Sequence, residues 1–171
     1  LATERALVAR LGEALKSPKA EIEERLTSTI EELKSAQRKL AQLQAAQLAT
    51  RIPDLIASAI SIGSTKYVEA NLGELGSVDD LRSLATAIRE KLSAESAVVA
   101  LLGVVAEKPM VLVATTDAAR AAGHKAGNLV RTASQILGGG GGGKDDLAQG
   151  GGSDVAKITD AMAAVRGALG A

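Results

Sequence analysis

"AVVALLGVVAEKPMVLVAT", from Ala97 to Thr115, decides the fold. It holds two continuous apolar runs, Ala97–Val105 and Met110–Thr115, parted by the short polar stretch "AEKP". Unbroken valine- and leucine-rich runs of this length fit strands buried on both faces, and the short polar break makes them a hairpin. A sheet buried on both faces needs a helical cover. Upstream, "TKYVEANL" (Thr65–Leu72) alternates as a strand. Ser77 and Asp80 then stand at capping-box spacing, and Leu81, Leu84, Ala85, Ile88 and Leu92 form one face of a helix. Downstream, Gly127–Leu137 is a helix turning Leu129, Val130, Ala133, Ile136 and Leu137 inward. Asp154–Leu169 is another, capped by Ser153 and burying Val155, Ile158, Met162, Val165 and Leu169. The reading for residues 53–171 is an α/β (α+β) globular domain, with a roughly three-stranded sheet covered by helices and a glycine-rich loop at 138–152.

Residues 1–52 read differently. Leu7, Val8, Leu11 and Leu15 mark one helix face, and Ser17-Pro18 gives a stop and a restart. Glu21, Glu23 and Glu24 sit near the positive end of the next helix dipole. Leu26, Ile30, Leu33, Leu40 and Leu43 then carry a coiled-coil-like stripe that Gln37 interrupts. A short leucine-bearing helix, a tight turn and a helix about 48 Å long make an N-terminal helical hairpin or coiled-coil arm. It serves either as a spacer or as a dimerisation arm, which a polar seam residue also suits.

Composition removes several functions. Twenty basic side chains balance twenty acidic ones, so net charge points to neither nucleic acid nor a membrane surface. Cysteine is absent and His124 is the single histidine, which excludes disulfides and disfavours zinc. No apolar run approaches the roughly 20 residues of a membrane span, and no stretch reads as a signal peptide. The first residue is Leu1, inside a helical pattern, so the expectation is a piece of a longer protein.

"ILGGGGGGKDDLAQGGGSD" (Ile136–Asp154) is the other unusual stretch. Consecutive glycines carry a large entropy cost on ordering. A flexible linker needs a domain on each side, but only one amphipathic helix follows, and that helix is unstable alone. Gly138 to Lys144 matches the start of a phosphate-binding P-loop literally. Asp145 stands where Ser or Thr should hold magnesium, however, and a helix precedes the loop where a P-loop needs a strand. What remains is a loop whose bare backbone lets a ligand or another chain segment come close. Asn128, Arg131 and Gln135 share the polar face of the preceding helix, and no acid lies between Arg120 and Lys144. That stretch reads either as a solvated helix face or as a surface for backbone phosphates. Tyr67 reads as a packing residue, since one aromatic makes a poor base-stacking platform. Asp146 reads as a holder of the loop amides.

"GGGGGGKDDLAQGGG" resembles the signature GGxGGGRPDxAQxGG near the carboxyl end of alanyl-tRNA synthetases, a DHH-associated type of motif of which RecJ-like phosphoesterases share a weaker version. "AAGHKAGNLVRTASQILGG" resembles the helix ahead of that loop, and "ATERALVARLGEALKSP" the linker helices after the editing domain. The resemblance covers essentially the whole chain and implies the C-terminal, C-Ala, domain of a bacterial member. It implies a non-catalytic tRNA-binding accessory module that contacts the tRNA elbow and helps the catalytic and editing domains engage the same alanine-accepting tRNA. A dimerisation or assembly module, giving a homodimer, is the alternative. The parent it implies is a cytoplasmic class II ligase using ATP and magnesium, with zinc in its editing site; this stretch is expected to hold no cofactor, metal or catalytic residue. The candidate tRNA-binding residues are Lys125, Asn128, Arg131, Gly139, Gly141, Gly142, Gly143, Lys144 and Gln149. Two departures weaken the basic character: Gly140 stands where many relatives have Lys or Arg, and Asp145 replaces a proline.

Overall fold

The computed structural model describes residues 1–171 and divides into two compact units, 1–43 and 44–171. The first unit holds α1 (Ala2–Leu15), a 3-10 turn (Lys19–Glu21) and most of α2 (Ile22–Ala49). Lys16 closes α1 in the left-handed region (φ 49°), and the Ser17 N–H donates to the Gly12 carbonyl at 2.9 Å. The expected order of helix, turn and longer helix is present, but neither helix buries a side chain. Leu33, Leu40 and Leu43 are 57–68% exposed, so the stripe is not a seam closed within this chain.

The second unit adds α3 (Ile52–Ala57), β1 (Ile60–Ile62), β2 (Thr65–Leu75), α4 (Val78–Lys91), β3 (Ala97–Val105), β4 (Lys108–Thr115), α5 (Asp117–Ala121) and α6 (Ala126–Ile136). It closes with β5 (Gly141–Gly143), β6 (Leu147–Gly151), a 3-10 turn and α7 (Ile158–Ala168). One six-stranded sheet results, in the order β1-β2-β3-β4-β6-β5. β2 and β3 run parallel because α4 supplies the crossover between them. β3 and β4 form the expected antiparallel hairpin. Its turn residues Ala106 and Glu107 both take positive φ, as a two-residue type I′ turn requires.

The sheet is larger than the three strands expected. Those three are its centre, and β1, β5 and β6 extend it to either side. β1 is only three residues long, while β5 and β6 are built largely of glycine, which has little strand preference and no side chain to alternate. The core lies on both faces. Val98, Ala100 and Leu102 of β3 meet Leu129, Val130 and Ala133 of α6 and Val165 of α7. Ala97, Val99 and Leu101 meet Leu81, Leu84 and Ile88 of α4 and Leu55 of α3. Two caps differ from expectation. The Ser77 side chain makes no cap hydrogen bond at α4, and Asp154 rather than Ser153 caps the last helical segment, accepting from the Ala156 N–H.

Candidate nucleic-acid interface

The glycine run is an ordered edge hairpin of the sheet, and each glycine has a definable surrounding. α6 ends in a Schellman motif: the Gly138 N–H donates to the Gln135 carbonyl and the Gly139 N–H to that of Ser134. Gly138 takes φ +77°, which only glycine adopts cheaply. β5 pairs antiparallel with β6, Gly141 facing Gly150 and Gly142 facing Gln149, and β6 pairs with β4. One face of this hairpin lies under α6. A Cβ on Gly141 would stand 2.5 Å from Gly150 Cα and 2.7 Å from Val130 Cγ1; one on Gly150 would meet Ser134 Oγ, Gly141 and Val130. A Cβ on Gly151 would lie 2.6 Å from the Pro109 carbonyl, and Gly139 and Gly152 are blocked by backbone. On the other face β5 itself is bare, and Leu147 and Gln149 of β6 supply the side chains. At Gly140 and Gly142 an added Cβ meets nothing within 4 Å.

The hairpin turn, Lys144 to Leu147, is held from three directions. The Thr115 hydroxyl donates to the Asp145 carbonyl at 2.7 Å, and the Thr115 N–H to the Asp146 carbonyl at 3.0 Å. The Ala126 N–H, at the start of α6, donates to Asp145 at 2.9 Å. From α4, Arg89 donates to the Asp146 carbonyl at 2.9 Å and pairs with its carboxylate at 3.5 Å. Asp146 therefore anchors the turn to α4 instead of holding the glycine amides.

These bonds fix where the charges go. Lys125 pairs with Asp145 at 3.1 Å, so its cation is compensated. With Asp146 engaged by Arg89, Lys144 is left exposed and without a carboxylate partner. Arg131 and Asn128 are exposed on α6, on the side of the sheet where that helix covers the glycines. Gln149 points to the opposite side, where it accepts a hydrogen bond from the Arg82 guanidinium of α4. Gly142, Gly143, Lys144 and Gln149 line a groove of about 350 Å³ there, together with Arg82, Asp146, Leu147, Ala148 and Leu112. The candidate residues thus divide between two faces: Gly142, Gly143, Lys144 and Gln149 come together, Asn128 and Arg131 lie across α6, and Gly139 and Gly141 are occupied by packing. Arg82 was missed because it lies 67 residues from Gln149 on a helix face that reads as ordinary solvent-exposed surface.

Away from the hairpin, Tyr67 is buried, as its place in a strand suggested. Burial pushes its phenol well above the usual tyrosine range, and the nearby Glu69 carboxylate adds to the shift. Glu69 in turn pairs with Arg166 of α7. No three His, Cys, Asp or Glu side chains converge in a set that could hold a metal ion. No helix is long and apolar enough to cross a membrane.

Residues 64–171, the sheet with its glycine hairpin, match the model of the DHHA1 domain. The chain belongs to the DHHA1 domain family. Similarity extends beyond the DHHA1 domain to the whole chain: it is 48% identical over 171 residues to the alanine–tRNA ligase of Renibacterium salmoninarum, covering 100% of this chain and 19% of that one. It is 51% identical over 167 residues to the ligase of Kocuria rhizophila, covering 97% and 19%. This chain therefore spans about a fifth of the length of these relatives. Among solved structures, the C-Ala domain from Aquifex aeolicus alanyl-tRNA synthetase shares the fold, with a TM-score of 0.59 and 24% identity, over 67% of this chain and 99% of that one. The resemblance carried by the glycine signature is borne out, and so is the mixed α/β architecture.

Proposed function

We propose that this DHHA1 domain is the tRNA-binding accessory module of an alanine–tRNA ligase, pressing the bare face of its glycine hairpin against the tRNA elbow. Ligation of alanine with ATP and magnesium, and editing with zinc, fall to the catalytic and editing domains elsewhere in the cytoplasmic parent. The observation that carries the reading is the open main chain at Gly140 and Gly142, close to a lysine with no acid to neutralise it. A backbone without Cβ atoms lets the ribose-phosphate chain approach closely, and an unpaired cation supplies sequence-independent attraction. Lys144, beside the open glycines, is the strongest candidate; Arg131, across α6, and Lys125, held by Asp145, contribute less. The test is a titration with alanine-accepting transcripts, intact and elbow-disrupted, at two salt concentrations. Affinity is expected to fall with salt, with loss of the elbow, and in a Lys125→Ala/Arg131→Ala/Lys144→Ala triple variant. Equal affinity of the triple variant removes the site.

A second reading, assembly through the arm, is favoured by the exposed leucine stripe on α1 and α2. Sedimentation over a range of concentrations separates the two: a monomer throughout excludes it.

A further inference from the structure

We infer that Arg82 of α4 is an RNA-contacting residue and that the groove between it and the glycine hairpin seats one ribose-phosphate unit. This rests on the tRNA-binding reading above and adds to it a second element of the fold, a residue and the class of group bound. Four observations converge. Arg82 is exposed and its guanidinium is held by the neutral Gln149 amide, so its charge is oriented but uncompensated. Lys144, on the same groove, likewise has no acidic partner. The one carboxylate lining the groove, Asp146, is engaged by Arg89 from behind, which reduces its repulsion of an anion. Gly142 backbone and the half-buried Leu147 side chain line the same groove, the fully buried Leu112 lying beneath.

That sequence of surfaces, two cations, bare main chain and an aliphatic ledge, complements one nucleotide unit: the phosphodiester lies between Arg82 and Lys144, and the sugar rests on glycine and leucine. Arginine suits this position because its fork spends one edge on Gln149 and keeps others for phosphate oxygens. Gln149 is then a positioning residue, acting through Arg82. The volume of about 350 Å³ accommodates one such unit.

The experiment compares tRNA binding by the whole 171-residue chain as wild type, Arg82→Gln, Gly142→Val and Thr86→Ala, each at several salt concentrations with a thermal melt alongside. Arg82→Gln is expected to weaken binding about tenfold and to reduce the slope of log affinity against log salt by about one. Gly142→Val, whose Cβ meets nothing within 4 Å in the fold, is expected to weaken binding with the melt and the salt slope unchanged, because it obstructs without removing charge. Thr86→Ala, on the same helix as Arg82, is expected to bind as wild type. Should wild type bind tRNA while Arg82→Gln and Gly142→Val bind equally well, the groove is overturned and the module reading stands. Should wild type fail to bind tRNA, both fall.

Discussion

The two faces of the glycine hairpin are made of the same residue for opposite reasons. On the α6 side, Gly141 and Gly150 are glycine because other protein atoms already occupy the space a Cβ needs. On the α4 side, Gly140 and Gly142 have open space and no φ that demands glycine. Packing explains the first pair and leaves the second unexplained. A run of glycines is therefore not one feature: at Gly138, Gly139, Gly141 and Gly143 close contacts or a positive φ hold the place, and only Gly140 and Gly142 have open space. The proposed RNA contact lies at that open pair.

The comparison breaks most visibly if the packed face tolerates a methyl group. Gly150→Ala drives a Cβ into Ser134 Oγ, Val130 and Gly141, an overpacking expected to cost about 3 kcal/mol and lower the melting temperature by about 10 °C. Ser134 supplies the nearest atom, and its hydroxyl is buried without a partner. Ser134→Ala alone is thus expected to be close to neutral, since it removes a polar group that gains nothing. Combined with Gly150→Ala it should recover part of the loss, which calorimetry of the double-mutant cycle reads as a favourable coupling. Simple additivity would mean that the hydroxyl is not what α6 presses against the hairpin.

The next effect tests whether the turn is what aims Lys144 outward. Thr115 is fully buried and its hydroxyl donates to the Asp145 carbonyl at 2.7 Å. Thr115→Val keeps the shape and deletes that donor, with an expected cost of about 1–2 kcal/mol. Amide exchange should quicken at Lys144 and Leu147 before it does in β3. Unchanged exchange there would show that Arg89 and the Ala126 N–H suffice to hold the turn.

Much of this was legible in the sequence, and the illegible remainder has a common cause. The central hairpin and the three main helices declare themselves because burial on both faces demands long apolar runs, and amphipathic helices demand a period near four. Side-chain periodicity is the signal in each case. β5 is all glycine and β6 offers only Leu147, Ala148 and Gln149, too few side chains to carry that signal, so both read as loop. The family signature located the candidate surface without saying which of its residues face outward; that depends on which side α6 covers. Arg82 was illegible for a different reason. Nothing local distinguishes it from Arg89 on the same helix, yet one faces a neutral amide beside the groove and the other anchors an aspartate.

A smaller effect, confined to alkaline solution, probes the packed side farther from the hairpin. Tyr67 lies in the same core as α6 and α7, and burial raises its phenol above the ordinary value near 10. A group whose pKa is higher folded than unfolded contributes stability that is complete below the unfolded pKa and is lost as pH rises through and beyond it. Stability measured by denaturant melts is expected to be insensitive to this group at neutral pH and to decline above about pH 10. Tyr67→Phe should lessen that decline; an identical alkaline profile would assign it to the lysines instead.

The smallest stability effect is the sharpest test of the comparison, because its sign is at issue. Gly142→Ala, on the bare face, adds a methyl that touches nothing. Its chief consequence is to restrict the unfolded chain, which favours the folded state by about 0.4–1 kcal/mol where the backbone angles suit alanine. The fold on its own would thus be no worse, and slightly better, with alanine there. A thermal melt at or above the wild-type value, together with weaker tRNA binding, means that the position is kept bare for what approaches it from outside. A drop in stability comparable to that of Gly150→Ala would mean instead that both faces are packed, and the distinction between them would have to be given up.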